Sequence, residues 1–321
     1  MAAAELAPSP PSGTAIARAP REGTSSWPLL DRFAYWLCWI VGIGLCAIAL
    51  AIVLFMLVKG ISYLRIGLLV HSPAPSQIQS QSGGFLDPIE GTLIVALIGT
   101  VIAVPVGVAI ATWLSEYRRP AGLARAVESA VEITAGAPSV VLALFGLLIF
   151  AQGFLGFLSQ RAATGTVYGR SFFAAGVVMA GLALPLIVSS TREGLAQLPN
   201  HLREASYALG VSKWRTVLSV VLPTSLGGIL TGTTLAVARA AGETAPLLFT
   251  CAIAGNLVDW NPTHSMLSMP LVIFEYSESP DANLNAQAWA TAFVLIAFVL
   301  VASLTARLLY DRSRRKLGQG R

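Results

Sequence analysis

Apolar positions in this chain fall into long uncharged blocks. Residues 33–58, 91–115, 133–159, 171–191 and 288–306 contain no Asp, Glu, Lys or Arg. Each block is about as long as the roughly 20 residues a helix needs to cross a hydrocarbon core. A sixth block, 224–258, is interrupted by charge at Arg239 and Glu243 alone. The pattern predicts an all-α integral membrane protein with six transmembrane helices.

Segments between the blocks are of other kinds. Residues 1–30, dominated by Ala, Pro, Ser and Gly, predict a disordered cytoplasmic tail. Residues 31–310 form the expected membrane domain, followed by a basic cytoplasmic tail at 311–321. Residues 59–88 read as an irregular, exposed outer loop. The apolar stretch 266–276 is too short to span and reads as an interfacial or re-entrant element. The first block is too long for a secretory h-region, so it is expected to remain as a membrane helix. Pro105 in the second block, and Ala137-Pro138-Ser139 where the third span begins, permit kinks because proline removes a backbone hydrogen bond. Gly91, Gly99, Gly107, Gly227, Gly228 and Gly232 allow helices to approach closely.

One insert is polar. Residues 203–223 read REASYALGVSKWRTVLSVVLP. Asn200 is a candidate helix cap, and Leu202, Ala205 and Leu209 recur at helical spacing. Gly210 is suited to end that helix in a left-handed conformation, and Ser212 to cap a second helix through Lys213, Trp214 and Arg215. The expected product is a helix–turn–helix hairpin closed by Leu222-Pro223, within a loop at 192–223.

Hydrophobic residues make up 55% of the 321, charged residues 12%, and mean hydropathy is +0.70, outside the range of soluble globular domains. The formal charge of +5 does not point to nucleic acid, because the basic residues are sorted by side. With both termini inside, sixteen lie on inner segments (Arg18, Arg21, Arg32, Arg118, Arg119, Arg125, Arg192, Arg203, Lys213, Arg215, Arg307, Arg312, Arg314, Arg315, Lys316, Arg321). Four lie outside (Lys59, Arg65, Arg161, Arg170). This asymmetry predicts the orientation.

Arg239 and Glu243 need a reason to be in a membrane block, since a charge at mid-bilayer costs about 2.5–3.5 kcal/mol. Four apart on a continuous helix they would share a face, with Glu243 holding the Arg239 side chain. At about 1.5 Å per residue from Pro223, Arg239 would lie about 24 Å along that helix. Two roles are open: charges on an anion pathway, or an ion pair that locks packing.

Catalytic signatures are absent. No phosphate-binding Gly-Lys-Ser/Thr occurs, since Lys59 follows Val58, Lys213 follows Ser212 and Lys316 follows Arg315. His71, His201 and His264 lack metal-ligand spacing, and Cys38, Cys46 and Cys251 read as small apolar fillers.

The insert resembles the EAA loop of ABC-importer membrane subunits: Glu204, Ala205 and Ser206 open it, Gly210 follows, and Leu222-Pro223 close it. Ser206 stands where the pattern has a second Ala, and Val220 where Ile is usual. Over residues 83–250, the segments GTLIVALIGTVIAVPVGVAIATWLSEY, APSVVLALFG and above all RAAGETAPLL at 239–248 resemble the PstA family of phosphate-importer permeases. The resemblance implies a MetI-like permease paired with a PstC-type subunit. That pair would sit on a PstB-type ATPase dimer, which holds ATP and Mg, and would receive inorganic phosphate from an extracytoplasmic binding protein. It makes Arg239 and Glu243 pathway charges, with Arg192 and Arg203 at the cytoplasmic mouth. Glu204, Ala205, Ser206, Gly210, Leu222 and Pro223 become the ATPase contact. The chain itself, embedded in membrane lipid, is expected to bind no cofactor, metal or nucleic acid and to catalyse nothing. A permease for molybdate or sulfate, an anion channel and a secondary carrier remain open.

Overall fold

The structure, a computed structural model, describes residues 28–61, 63–64, 66–71, 84–152, 155–159, 169–251, 261, 263–264 and 267–318. Residues 1–27 of the expected tail, and residues 62, 65 and 72–83 of the loop expected at 59–88, lie outside them. The described part of that loop is not wholly irregular or exposed: Ile66–Leu69 form a 3-10 helix, Leu86 begins a helix, and Gly84, Phe85, Asp87 and Pro88 are buried. Helices in chain order are α1 (Leu29–Gly60), α2 (Leu86–Thr112), α3 (Ala121–Gly136), α4 (Ser139–Gln152), α5 (Phe172–Ala196), α6 (Asn200–Ala208), α7 (Lys213–Thr216), α8 (Leu222–Thr224), α9 (Leu226–Gly242), α10 (Ala245–Thr250), α11 (Met269–Ser277) and α12 (Ala282–Gly318). Among the described residues there is no strand.

The chain falls into two compact units, Met1–Ile52 and Val53–Arg321. The described part of the first is the start of α1, whose large apolar side chains from Leu29 to Ile52 are exposed. The second unit is a helical bundle. At its centre α2 and α5 run parallel: a Cβ on Gly99 would lie 3.2 Å from Met179 Cβ, and one on Gly107 only 2.8 Å from Ile187 Cγ2. The register advances in the same direction on both helices. α9 packs antiparallel on α5, since Gly194 faces Gly228 and Gly232 faces Ser190, where an added Cβ would meet Ser190 Cβ at 2.7 Å. Absent side chains let these backbones touch, which is how helices associate where lipid supplies no hydrophobic drive. Val95, Phe172, Met179, Leu247 and Leu271 bury one core across α2, α5, α10 and α11. α12 closes the unit, with Trp289 edge-on to Phe55 at 5.2 Å.

Four helices are long and apolar enough to cross a membrane, or up to six if each of two bent pairs counts as one span. The bends revise two expectations. The block 133–159 is not one helix: α3 and α4 meet at 110°. Ala137 sits between them in an extended conformation, φ −70° and ψ 136°, as the residue before Pro138 is pushed out of the helical region. Pro105, in contrast, lies inside an unbroken α2. The block 224–258 is also broken, because α9 stops at Gly242 and α10 resumes at Ala245. The short element expected at 266–276 is α11. The last helix continues to Gly318, through most of the segment expected as a basic tail.

Candidate functional site

Two polar regions stand out against this apolar frame. The first is the hairpin of α6 and α7. Gly210 joins its arms with φ +74°, donating N–H to Tyr207 O at 2.9 Å, while Val211 N–H reaches Ser206 O at 3.2 Å; a left-handed residue here is cheap only as glycine. Ser206 and Thr216 are both buried and share a hydroxyl–hydroxyl bond of 2.9 Å that clasps the arms together.

The expected capping roles are corrected. Asn200 is the first residue of α6, not its cap, and its Oδ1 accepts from Arg203 Nη1 at 3.2 Å. Ser212 stands at the cap position of α7 without a side-chain capping bond. Nor does Leu222-Pro223 close the hairpin. The second arm continues through a π-helical turn, Val217–Val221, into α8 and then bends by 64° before α9. Pro223 has no N–H for the helical ladder, and Ser225 Oγ donates to Val221 O at 2.9 Å and Leu222 O at 3.1 Å beside the bend.

Arg203 is an anchor. Its Nε and Nη2 donate to Glu116 Oε1 at 3.1 and 2.9 Å, and Nη2 also donates to Leu195 O at 3.2 Å. Nη1 reaches Leu198 O at 3.0 Å as well as Asn200. With side chains only 18% and 8% exposed, this pair is held where stranding either charge costs about 3–5 kcal/mol. Arg192 is likewise engaged, 2.8 Å from Glu128 of α3, which Arg118 also approaches at 3.6 Å. The mouth expected around Arg192 and Arg203 is a cleft of about 660 Å³ that also includes Glu116 and Glu193. Its arginines are paired to carboxylates. The opposite side of the hairpin is open: Glu204, Ala205 and Tyr207 are exposed, with Leu209 at 83% and Trp214 at 64%.

The second region is the break after α9. Arg239 is in the last turn of the helix, but Glu243 lies beyond its end with φ −76° and ψ 126°. The single-helix face expected for the pair is therefore wrong, while the contact is real: Arg239 Nε donates to Glu243 Oε1 at 3.2 Å. Because the chain bends before α9, the path to Arg239 starts at Leu226 and runs about 20 Å rather than 24 Å from Pro223. The Arg239 side chain is 54% exposed and that of Glu243 20%. Among the described residues, no other hydrogen bond or ion pair engages the guanidinium. Among the described residues its Nη1/Nη2 edge has no hydrogen-bond partner, leaving a planar pair of donors of the kind that fits an oxyanion.

The sequence reading missed Glu116, Glu128 and Thr216. Glu116 lies 87 positions from Arg203, and its one sequence cue was an acid at the end of a long apolar block. Cys251 is buried as expected of a filler, but Cys38 and Cys46 are exposed.

Residues 103–318 match the family described as binding-protein-dependent transport system inner membrane component. A phosphate transport system permease protein PstA from Haemophilus influenzae is 35% identical over 282 residues, covering 87% of this chain and 89% of the relative. PstA 1 of Mycobacterium tuberculosis is 34% identical over 256 residues, covering 78% of each. Among solved structures, a bacterial alginate ABC transporter chain superposes with TM-score 0.63 at 16% identity, over 88% of this chain and 95% of the other. A chain of the inward-facing MetNI methionine ABC transporter gives 0.55 at 19%, over 70% and 94%. These likenesses establish the fold. The chain belongs to the family of binding-protein-dependent transport system inner membrane components.

Proposed function

For this member of the family, we propose a permease subunit of an ATP-driven importer that carries inorganic phosphate across the cytoplasmic membrane. The observation that carries the reading is Arg239. Its open guanidinium edge ends a membrane helix, Glu243 orients the other side, and the PstA relatives are named for phosphate transport. An anion descending the pathway gains the charge-assisted donors that no side chain among the described residues uses. Arg192 and Arg203 serve the hairpin end mainly by holding it together.

The exposed face of the hairpin, with Glu204, Ala205, Leu209 and Trp214, supports an ATPase contact, since exposed apolar side chains rimmed by charge suit a protein partner. Gly210 and Ser206 shape that face from within, and Leu222 and Pro223 set the bend through which it joins α9. ATP and Mg belong to a PstB-type ATPase dimer. A PstC-type subunit and an extracytoplasmic phosphate-binding protein complete the assembly. The distribution of basic residues supports both termini and the hairpin in the cytoplasm.

Uptake into proteoliposomes by the complete assembly tests this reading. Labelled phosphate should accumulate only with internal ATP and binding protein, and excess sulfate or molybdate should leave uptake unchanged. Uptake without ATP hydrolysis would favour a channel or carrier, and strong competition by molybdate or sulfate would reassign the substrate.

A further inference from the structure

We infer that Glu116 is a positioning residue for transport: it latches the end of α2 to both arms of the hairpin, so that a displacement of the hairpin is carried into the membrane helices. The inference rests on the ATP-driven reading above. α2 does not stop as an ordinary helix. It runs into a π-helical turn, Trp113–Tyr117, closed by Arg118 in the left-handed region at φ 41°. That widened turn carries Glu116, and π turns inside α-helices are frequent at functional positions.

Both arms grip the same dipeptide. From α6, Arg203 commits all five guanidinium hydrogens: two to the Glu116 carboxylate, one to Asn200, one to the Leu195 carbonyl in the last turn of α5 and one to the Leu198 carbonyl just beyond it. From α7, Lys213 Nζ donates to the backbone carbonyl of Glu116 and lies 4.8 Å from the Tyr117 ring centroid. The second arm also contains a π turn, Val217–Val221. Beyond the latch, glycine contacts tie α2 to α5 and α5 to α9, the helix that carries Arg239 in its last turn. Charge, hydrogen bonding and close backbone packing thus connect the hairpin to the anion site without a gap.

A brace that only stabilises the fold and a latch that transmits motion differ in one measurable ratio: phosphate transported per ATP hydrolysed. Glu116→Gln keeps the shape and removes the charge. In the complete reconstituted assembly it is expected to co-purify with the ATPase and hydrolyse ATP while phosphate carried per ATP falls about tenfold, within the range of single couplings. Lys213→Gln, which releases the other arm, should lower the ratio in the same direction by about threefold. A wild-type ratio in assembled Glu116→Gln overturns the inference, as does failure of both variants to assemble, which makes the contact a packing brace. If the unaltered assembly hydrolyses ATP but moves no phosphate, the functional reading itself falls.

Discussion

Arg203 and Arg239 are the same residue in opposite circumstances. At the hairpin, Arg203 is mostly buried and every donor is used; at the break after α9, Arg239 is half-exposed and bonded through Nε alone among the described residues. An anion reaching Arg203 would have to displace a carboxylate and three other acceptors. One reaching Arg239 meets an Nη1/Nη2 edge that has no hydrogen-bond partner among the described residues. On the proposed function, binding and bracing are separated along the chain, and the count of satisfied donors distinguishes them where residue type does not.

The largest expected effect lies at the open end. Arg239→Gln should abolish phosphate uptake, a loss of at least about a hundredfold, with the assembly still recovered intact, because the free donors lose their charge. Arg239→Lys should restore only part of the rate, since an ammonium keeps the charge without the planar two-donor edge. Normal uptake by Arg239→Gln would collapse the distinction between the two regions.

The hairpin should respond less steeply and in a different measurement. Gly210→Val places a β-branched residue at φ +74°, at a cost of about 1–2 kcal/mol. It should weaken co-purification with the ATPase about tenfold while membrane insertion is unchanged. Nothing lies within 4 Å of a Cβ built at Gly210, so the effect isolates backbone conformation from crowding. If the variant docks and transports normally, the turn geometry does not shape the contact.

Legibility in the sequence followed the range of the interaction. The membrane helices, the hairpin and the left-handed Gly210 were readable because block length, helical spacing and glycine chemistry are local. The Arg239–Glu243 contact was readable too, yet the helix end between them was not, although Gly242 and Pro246 flank it. A proline showed that α3 and α4 could bend, but the 110° angle depends on what each packs against. Glu116 stayed hidden for the same reason: its value as a partner exists only once the ends of α2 and α5 are brought beside α6. Arg203 was read as a pathway charge, and the four acceptors that the fold gathers around it were not legible because they come from separate elements.

Exchanging the charges, Arg239→Glu with Glu243→Arg, bears most directly on the division between an anion-binding and a bracing arginine. The exchange keeps the ion pair and reverses what an incoming anion meets. Phosphate uptake by the exchanged protein, measured in assemblies that still hydrolyse ATP, should be blocked by the carboxylate at position 239. Uptake near the unaltered rate would instead make Arg239–Glu243 a packing pair and leave the anion to another site.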